Sequence, residues 1–400
     1  MSYGILQEYF SNNWPLKGSN SAAGVIGTTS NGVIYIAMPF LFGLFSQPGR
    51  ARFRQAVALG GLALCALSFL LSSFSVYLWH VIATQSVLAS LGGALIYSPT
   101  TLSLGECFNT GNRATAYAIV LSFKASVGST CPFLIRFLLD KYGFRLTMRV
   151  WAAIVAGSGL CGILLIPVDT SRESIIDSSR RRRTAWHFLK HRTFYIYSIA
   201  TILQSSGYGI PPTYIISYAR STVSMSQMTT TLLLTLFNIP GILASNVFGY
   251  LSDNKRYPLS ATSTTLISSL SSALAILLLW GFASRNNMAL LLCFSIIFGF
   301  FSSAYSATWG GMIKEMEHEA VQRNEALDPG LVYGLLNGAR GVGYVSGGLA
   351  SVPLLKTGAN MSGTGRFGYA TEYGPLIIFT GLVSSFGGWS LVWKCYKMFR

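Results

Sequence analysis

DTSRESIIDSSRRRRTAWHFLKHR, residues Asp169–Arg192, is the longest strongly polar stretch of the chain, and it holds Arg180, Arg181, Arg182 and Arg183 in succession. Arg172, Lys190 and Arg192 add to its charge. On either side of it the sequence turns apolar. Runs of about 20 residues recur, each long enough to cross ~30 Å of hydrocarbon. Backbone in lipid must satisfy its own hydrogen bonds, so runs of that length imply helices.

Composition agrees with this reading. The 400 residues are 51% hydrophobic and 10% charged, with a mean hydropathy of +0.47. Soluble domains carry about 25% charge. A net charge of +16 would suggest nucleic acid in a soluble chain. Here it has another explanation, since Lys and Arg accumulate in cytoplasmic loops. No nucleic-acid partner is expected. The six cysteines Cys65, Cys107, Cys131, Cys161, Cys293 and Cys395 show no metal-type spacing, which predicts free thiols. Met1 is followed by Glu8 and Asn12 with no basic segment, so no cleavable signal peptide is expected.

Eleven full spans are predicted. Five precede the polar stretch: about 22–45, 56–74, 76–102, 114–138 and 147–168. Six follow it: about 194–218, 228–251, 261–282, 288–312, 331–354 and 373–393. The chain thus divides into a bundle over 1–168, a basic linker over 169–193 and a six-helix bundle over 194–400. With the linker and C-terminus placed in the cytoplasm, inner segments carry 18 Lys and Arg, outer segments eight, and spans three. The bias favours that orientation. Asn360, in Asn360-Met361-Ser362, then falls outside and is a candidate glycosylation site.

The halves echo each other. Gly43-Leu-Phe-Ser-Gln47-Pro-Gly-Arg50-Ala-Arg52 matches Gly249-Tyr-Leu-Ser-Asp253-Asn-Lys-Arg256, and Ser2-Tyr3-Gly4-Ile5 matches Gly207-Tyr208-Gly209-Ile210. By this register Met1 aligns with the middle of the second half's first helix. The first half is therefore expected to hold only part of its opening helix, as in an N-terminally truncated six-plus-six protein.

The Gly-x-x-x-Asp-x-x-x-Arg pattern resembles the signature loop of the major facilitator superfamily. Further motifs are Thr84-Gln85-Ser86-Val87-Leu88, Gly92-Gly93, Tyr97-Ser98-Pro99, Asn112-Arg113-Ala114, Tyr142-Gly143-Phe144-Arg145-Leu146-Thr147-Met148-Arg149 and Gly334-Leu-Leu-Asn337-Gly338-Ala-Arg340-Gly341-Val-Gly343. In this order they resemble that superfamily's monocarboxylate-transporter-like branch, especially its fungal permeases. The resemblance implies an all-α membrane fold of two pseudo-symmetric bundles, with about 11 full helices and a partial first one. It also implies alternating access around a site near the midplane. The expected substrate is a small organic anion such as a monocarboxylate. Two departures stand out. The acidic–arginine pair that the branch carries in helix eight is replaced by Gly241 and Ser245. The functional lysine of its helix one would lie in or near the missing segment.

Lys124 lies ten residues into its span, ~15 Å deep at 1.5 Å per residue, where a lysine is costly to insert. Arg340 lies ~13 Å deep by the same rise. In the resembling fold their helices, the fifth and eleventh, occupy equivalent places beside the central interface. Two cations at such places suggest an anion site, with Arg gripping a carboxylate bidentately. The structural alternatives are snorkelling for Lys124, and pairing with backbone carbonyls or Asn337 for Arg340. Gln204, Tyr208, Asn238 and Trp309 are candidate cavity residues; each is otherwise helix-packing glue or an interfacial aromatic. Asp253 with Arg256, and Glu106 with Arg113, are candidate inner-gate charges, or else ordinary loop charge.

Arg136, near an outer end, is expected to snorkel. The acids, Glu8 among them, are expected outside the deep membrane region. Glu315, Glu317 and Glu319 read as a solvated helix face, and His80, His187, His191 and His318 as solvated. No Walker motif, HExxH or nucleophile–base set is present, so neither a cofactor nor enzyme chemistry is expected. The expected partners are a small-molecule substrate and membrane lipid. The expected setting is a monomer in the plasma membrane. Two rival readings are an exporter of an apolar secondary metabolite and a transport-incompetent, sensor-like membrane protein.

Overall fold

The computed structural model describes residues 3–12, 25–46, 48–107, 113–165, 186–253, 260–325, 327–361, 367–390 and 393, and among these it contains no strand. The helices are α1 (Tyr3–Asn12), α2 (Val25–Phe45), α3 (Arg54–Ser72), α4 (Leu78–Val81), α5 (Ala89–Cys107) and α6 (Arg113–Leu164). After the polar linker come α7 (Arg192–Tyr208), α8 (Ile210–Ser221), α9 (Gln227–Asp253), α10 (Ala261–Leu274), α11 (Met288–Ala307), α12 (Trp309–Gln322), α13 (Pro329–Met361) and α14 (Gly374–Phe386). A π-helical stretch, Ile82–Leu88, joins α4 to α5, and a second, Ala275–Trp280, prolongs α10. Among the described residues six helices are long and apolar enough to cross a membrane. Large apolar side chains such as Phe137, Leu243 and Leu349 are exposed on their surfaces, as suits a lipid solvent.

Three expected boundaries move, each for a local reason. The spans expected at 114–138 and 147–168 are joined without a loop in the 52-residue α6. Gly143 alone turns the chain, at φ 74° and ψ 176°, a conformation open only to glycine. The segment 139–146, expected as the loop between these spans, stays helical up to and beyond that residue. The span expected at 194–218 breaks at Gly209, because Pro211 and Pro212 fill the first turn of α8 and cannot donate to α7. The span expected at 288–312 ends at Ala307, and Trp309 opens a separate amphipathic helix.

Two antiparallel seams build the interior. Along the first, α13 lies against α2. A Cβ on Gly341 would sit 2.6 Å from Ile36 N, one on Gly338 2.4 Å from Pro39 Cγ, and one on Gly334 2.7 Å from Phe42 Cβ. The other flank of α13 meets α7 as closely: a Cβ on Gly347 would sit 2.0 Å from Ser206 O. Glycine on two flanks lets α13 wedge between two helices at backbone distance.

The second seam joins α6 to α9 through polar side chains. Gln227 Nε2 donates to Asp140 Oδ2 (3.0 Å), Thr235 Oγ1 to Ser129 O (3.0 Å), Asn238 Nδ2 to Gly128 O (3.2 Å) and Asn246 Nδ2 to Ser122 Oγ (2.7 Å). Both seams cross between segments before and after the polar linker.

The first described helix packs on the other half of the chain: α1 lies against α8, with Gly4 beside Pro212 and Ile216. Arg54, a basic residue between the expected spans 22–45 and 56–74, is buried. Its guanidinium donates to Phe45 O at 2.7 and 3.2 Å and so caps the last turn of α2.

Candidate functional site

One face of α13 carries Tyr333, Asn337, Arg340 and Tyr344, spaced at four, three and four residues. Because α13 is pinned between α2 and α7, that face meets side chains from several other helices. The Arg340 guanidinium carbon lies 5.1 Å from the Tyr35 ring centre, 5.3 Å from Tyr208, 5.5 Å from Trp309 and 5.6 Å from Tyr344. Tyr35 and Tyr344 stack at 5.6 Å with 12° between their planes. The side chain is only 7% exposed. Ring faces are electronegative, so each offsets part of the cost of holding the cation there, by about 0.5–2 kcal/mol.

Lys124 reaches the same place from α6. Its Nζ donates to Tyr35 Oη at 3.1 Å and lies 5.8 Å from that ring's centre. Tyr35 therefore bridges the two cations. Lys124 itself is exposed, which marks the open side of the cluster.

A second aromatic tier adjoins the first. Tyr117, two turns before Lys124 on α6, stacks on Tyr333 at 5.1 Å and 14°. Tyr97 of α5 hydrogen-bonds Tyr333 between hydroxyls at 3.2 Å. Trp309 meets Tyr333 edge-on at 5.7 Å and so links both tiers.

No carboxylate among the described residues pairs with Lys124 or Arg340. Two buried donors in the cluster, Arg340 Nε and Trp309 Nε1, have no hydrogen-bond partner among those residues. A buried unmet donor is costly. The cluster therefore offers two positive charges and two unmet N–H groups inside an aromatic wall. Chemically this suits an anion with acceptor oxygens.

Of the six residues singled out from sequence as substrate contacts, four converge here: Lys124, Arg340, Tyr208 and Trp309. The other two do not. Asn238 gives its amide to Gly128 O and Leu234 O (2.7 Å) and belongs to the α6–α9 seam. Gln204 packs where α7 meets Gly387, whose Cβ would lie 2.7 Å from Gln204 Cβ. Sequence reasoning missed Tyr35, Tyr97, Tyr117, Tyr333 and Tyr344. Helical spacing from Lys124 would have found Tyr117, and spacing from Arg340 would have found Tyr333 and Tyr344. Tyr35 had no such signal, since its place depends on how α2 meets α13.

The departure at helix eight has a steric counterpart. Gly241 faces α11, where a Cβ would sit 2.5 Å from Ser303 Oγ, so a larger side chain there requires Ser303 to turn aside.

Three ionic readings are corrected. Arg136 does not snorkel: it pairs with Glu8, which is 3% exposed and also binds Arg220 of α8. Glu8 is thus a buried acid that joins α1, α6 and α8. His191 is buried rather than solvated, with Nε2 2.7 Å from Glu325 and Nδ1 3.9 Å from Glu319. The acidic face of α12 is engaged too: Tyr197 Oη donates to Glu315 Oε2 at 2.5 Å, and Arg323 Nη2 to Glu319 Oε1 at 2.8 Å. Of the gate candidates, Arg256 and the side chains of Asp253, Glu106 and Arg113 lie outside the described residues. Asn360 is exposed near the end of α13.

The comparisons with known proteins agree with this architecture. The family model of the Major Facilitator Superfamily matches residues 2–348. Monocarboxylate transporter 12 of Xenopus laevis is 26% identical over 63% of this chain and 58% of its own length. An MFS-type transporter of Gibberella moniliformis is 25% identical over 76% of this chain and 70% of its own. The chain spans less than two thirds of several monocarboxylate transporters that it matches. Among solved structures, the human organic anion transporter MFSD10 (TETRAN) superposes with a TM-score of 0.61 over 98% of this chain and 89% of that one, at 14% identity, a likeness of fold alone. The chain belongs to the Major Facilitator Superfamily.

Proposed function

We propose that this protein is a transporter that moves a small organic anion, of the monocarboxylate kind, by alternating access. In this reading Arg340 and Lys124 bind the anionic group, and Tyr208 and Trp309 form part of the wall. The observation that carries it is the meeting of two cations on Tyr35 with no carboxylate among the described residues paired to either. A buried cation in a membrane protein ordinarily pairs with an acid or takes part in transport. Names of relatives point the same way: monocarboxylate transporters by sequence and an organic anion transporter by fold.

The moving parts would be the bundles over residues 1–168 and 194–400, tethered by the basic linker at 169–193. The linker and C-terminus would be cytoplasmic and the membrane the plasma membrane. Asp253 with Arg256, and Glu106 with Arg113, would gate the cytoplasmic side. Asn360 would be glycosylated outside.

Uptake of a panel of labelled carboxylates into cells producing the parent, Lys124→Ala or Arg340→Ala protein at matched surface levels tests the reading. It expects uptake of at least one acid by the parent and its loss in Arg340→Ala. A parent that takes up no acid, yet lowers the accumulation of an apolar compound, would establish the exporter reading instead.

A further inference from the structure

We infer that the anion is an aromatic carboxylate, with a flat π body attached to its acid group. This rests on the anion reading above and narrows it to a chemical class. The donors of the cluster are few and lie together. Among the described residues Arg340 Nε and Trp309 Nε1 are the cluster's unmet N–H groups, and the Arg340 guanidinium carbon lies 5.5 Å from the Trp309 ring centre. A carboxylate brings acceptor oxygens to these donors, and Arg is the residue best shaped to grip one.

Nearly everything else in the cluster is ring. Tyr35 and Tyr344 form one parallel stack and Tyr117 and Tyr333 another, with Trp309 touching both tiers. An acid with no apolar body would lose its hydration against these rings and gain only the charge contact. An acid that carries its own ring buries apolar area at the same moment. It also adds ring-to-ring contacts, worth more than area alone. Lys124, on the exposed side, supplies a second positive charge to draw the acid in.

The test uses the purified full chain in lipid nanodiscs. Ligand-induced shifts of thermal unfolding give dissociation constants for three probes of similar size: benzoate, cyclohexanecarboxylate and benzylammonium. Benzoate is expected to bind roughly three- to tenfold more tightly than cyclohexanecarboxylate, the margin typical of aromatic pairing. Benzylammonium is expected not to bind. Tyr344→Leu should bring the two acids to equal affinity while keeping both, whereas Tyr344→Phe should keep the preference. The ratio in the parent protein decides the matter, even where a variant fails to fold. Equal affinity of the two acids in the parent overturns the aromatic assignment and leaves the anion reading standing. Benzylammonium binding as tightly as benzoate, or no acid binding in the millimolar range, overturns both.

Discussion

Arg340 and Lys124 carry the same charge but meet the cluster differently. Arg340 is enclosed by four rings and keeps an unmet Nε–H. Lys124 is exposed and tied to one hydroxyl. A lysine at 340 would keep the charge and lose the fork of donors. Arg340→Lys is therefore expected to lower uptake about ten- to hundredfold, since a hydrogen bond to a charged group contributes about 1.5–3 kcal/mol. Initial uptake rates at equal surface abundance check it; parent-like uptake would show that charge alone suffices.

Glu8 makes a separate prediction at this scale. It is the shared partner of Arg136 and Arg220. Glu8→Gln leaves Arg136 largely buried and uncompensated, and should destabilise the protein by about 2 kcal/mol. The Arg220 side of the cluster is 41% exposed, so solvent softens the loss there. A lowered melting temperature in detergent, partly restored by Glu8→Gln with Arg136→Leu, is the expected result.

At the scale of helices, glycine decides the packing. A Cβ on Gly299 would lie 2.1 Å from Phe237 O, while one on Gly157 would meet nothing within 4 Å. Gly299→Ala should therefore force α11 off α9 and lower thermal stability, and Gly157→Ala should leave it unchanged. Gly143→Ala forms an intermediate case. Space there is open, but the φ of 74° is strained for alanine and should cost about 1–3 kcal/mol. Melting curves of the three variants check the order.

The same elements show what the sequence could reveal. Long apolar runs and the two cations set within them were legible, because each is a one-dimensional signal of burial or its violation. The break at Gly209 and the loopless turn at Gly143 were not. A segment such as 139–146, with Asp140, Lys141 and Arg145, reads as a loop, whether the chain turns over several residues or at one. The site was legible in its charges and in two of its rings, Tyr208 and Trp309, but not in its other tyrosines. In a chain with 20 tyrosines, Tyr35 becomes special only once α13 is set against α2. Gln204 and Asn238 failed to join the cluster for a related reason: polar side chains in membrane helices also serve as interhelical glue.

At the scale of the molecule, contacts at opposite ends link segments before and after the linker. Glu8 with Arg220, and Asp140 with Gln227, lie at one end. Tyr97 with Tyr333, and Leu102 beside Gly330, lie toward the other. The alternating access proposed above would require each set to part while the other closes. Joining Asp140→Cys to Gln227→Cys with a short thiol-reactive cross-linker should halt turnover without removing ligand binding. Unimpaired transport after complete cross-linking would show that this end does not open.

The most direct measurement is counterflow in proteoliposomes. Purified parent and Arg340→Gln proteins are loaded with unlabelled benzoate and given a trace of labelled benzoate outside. The account predicts a transient accumulation of label by the parent and its collapse in Arg340→Gln. Equal accumulation by both proteins would contradict it.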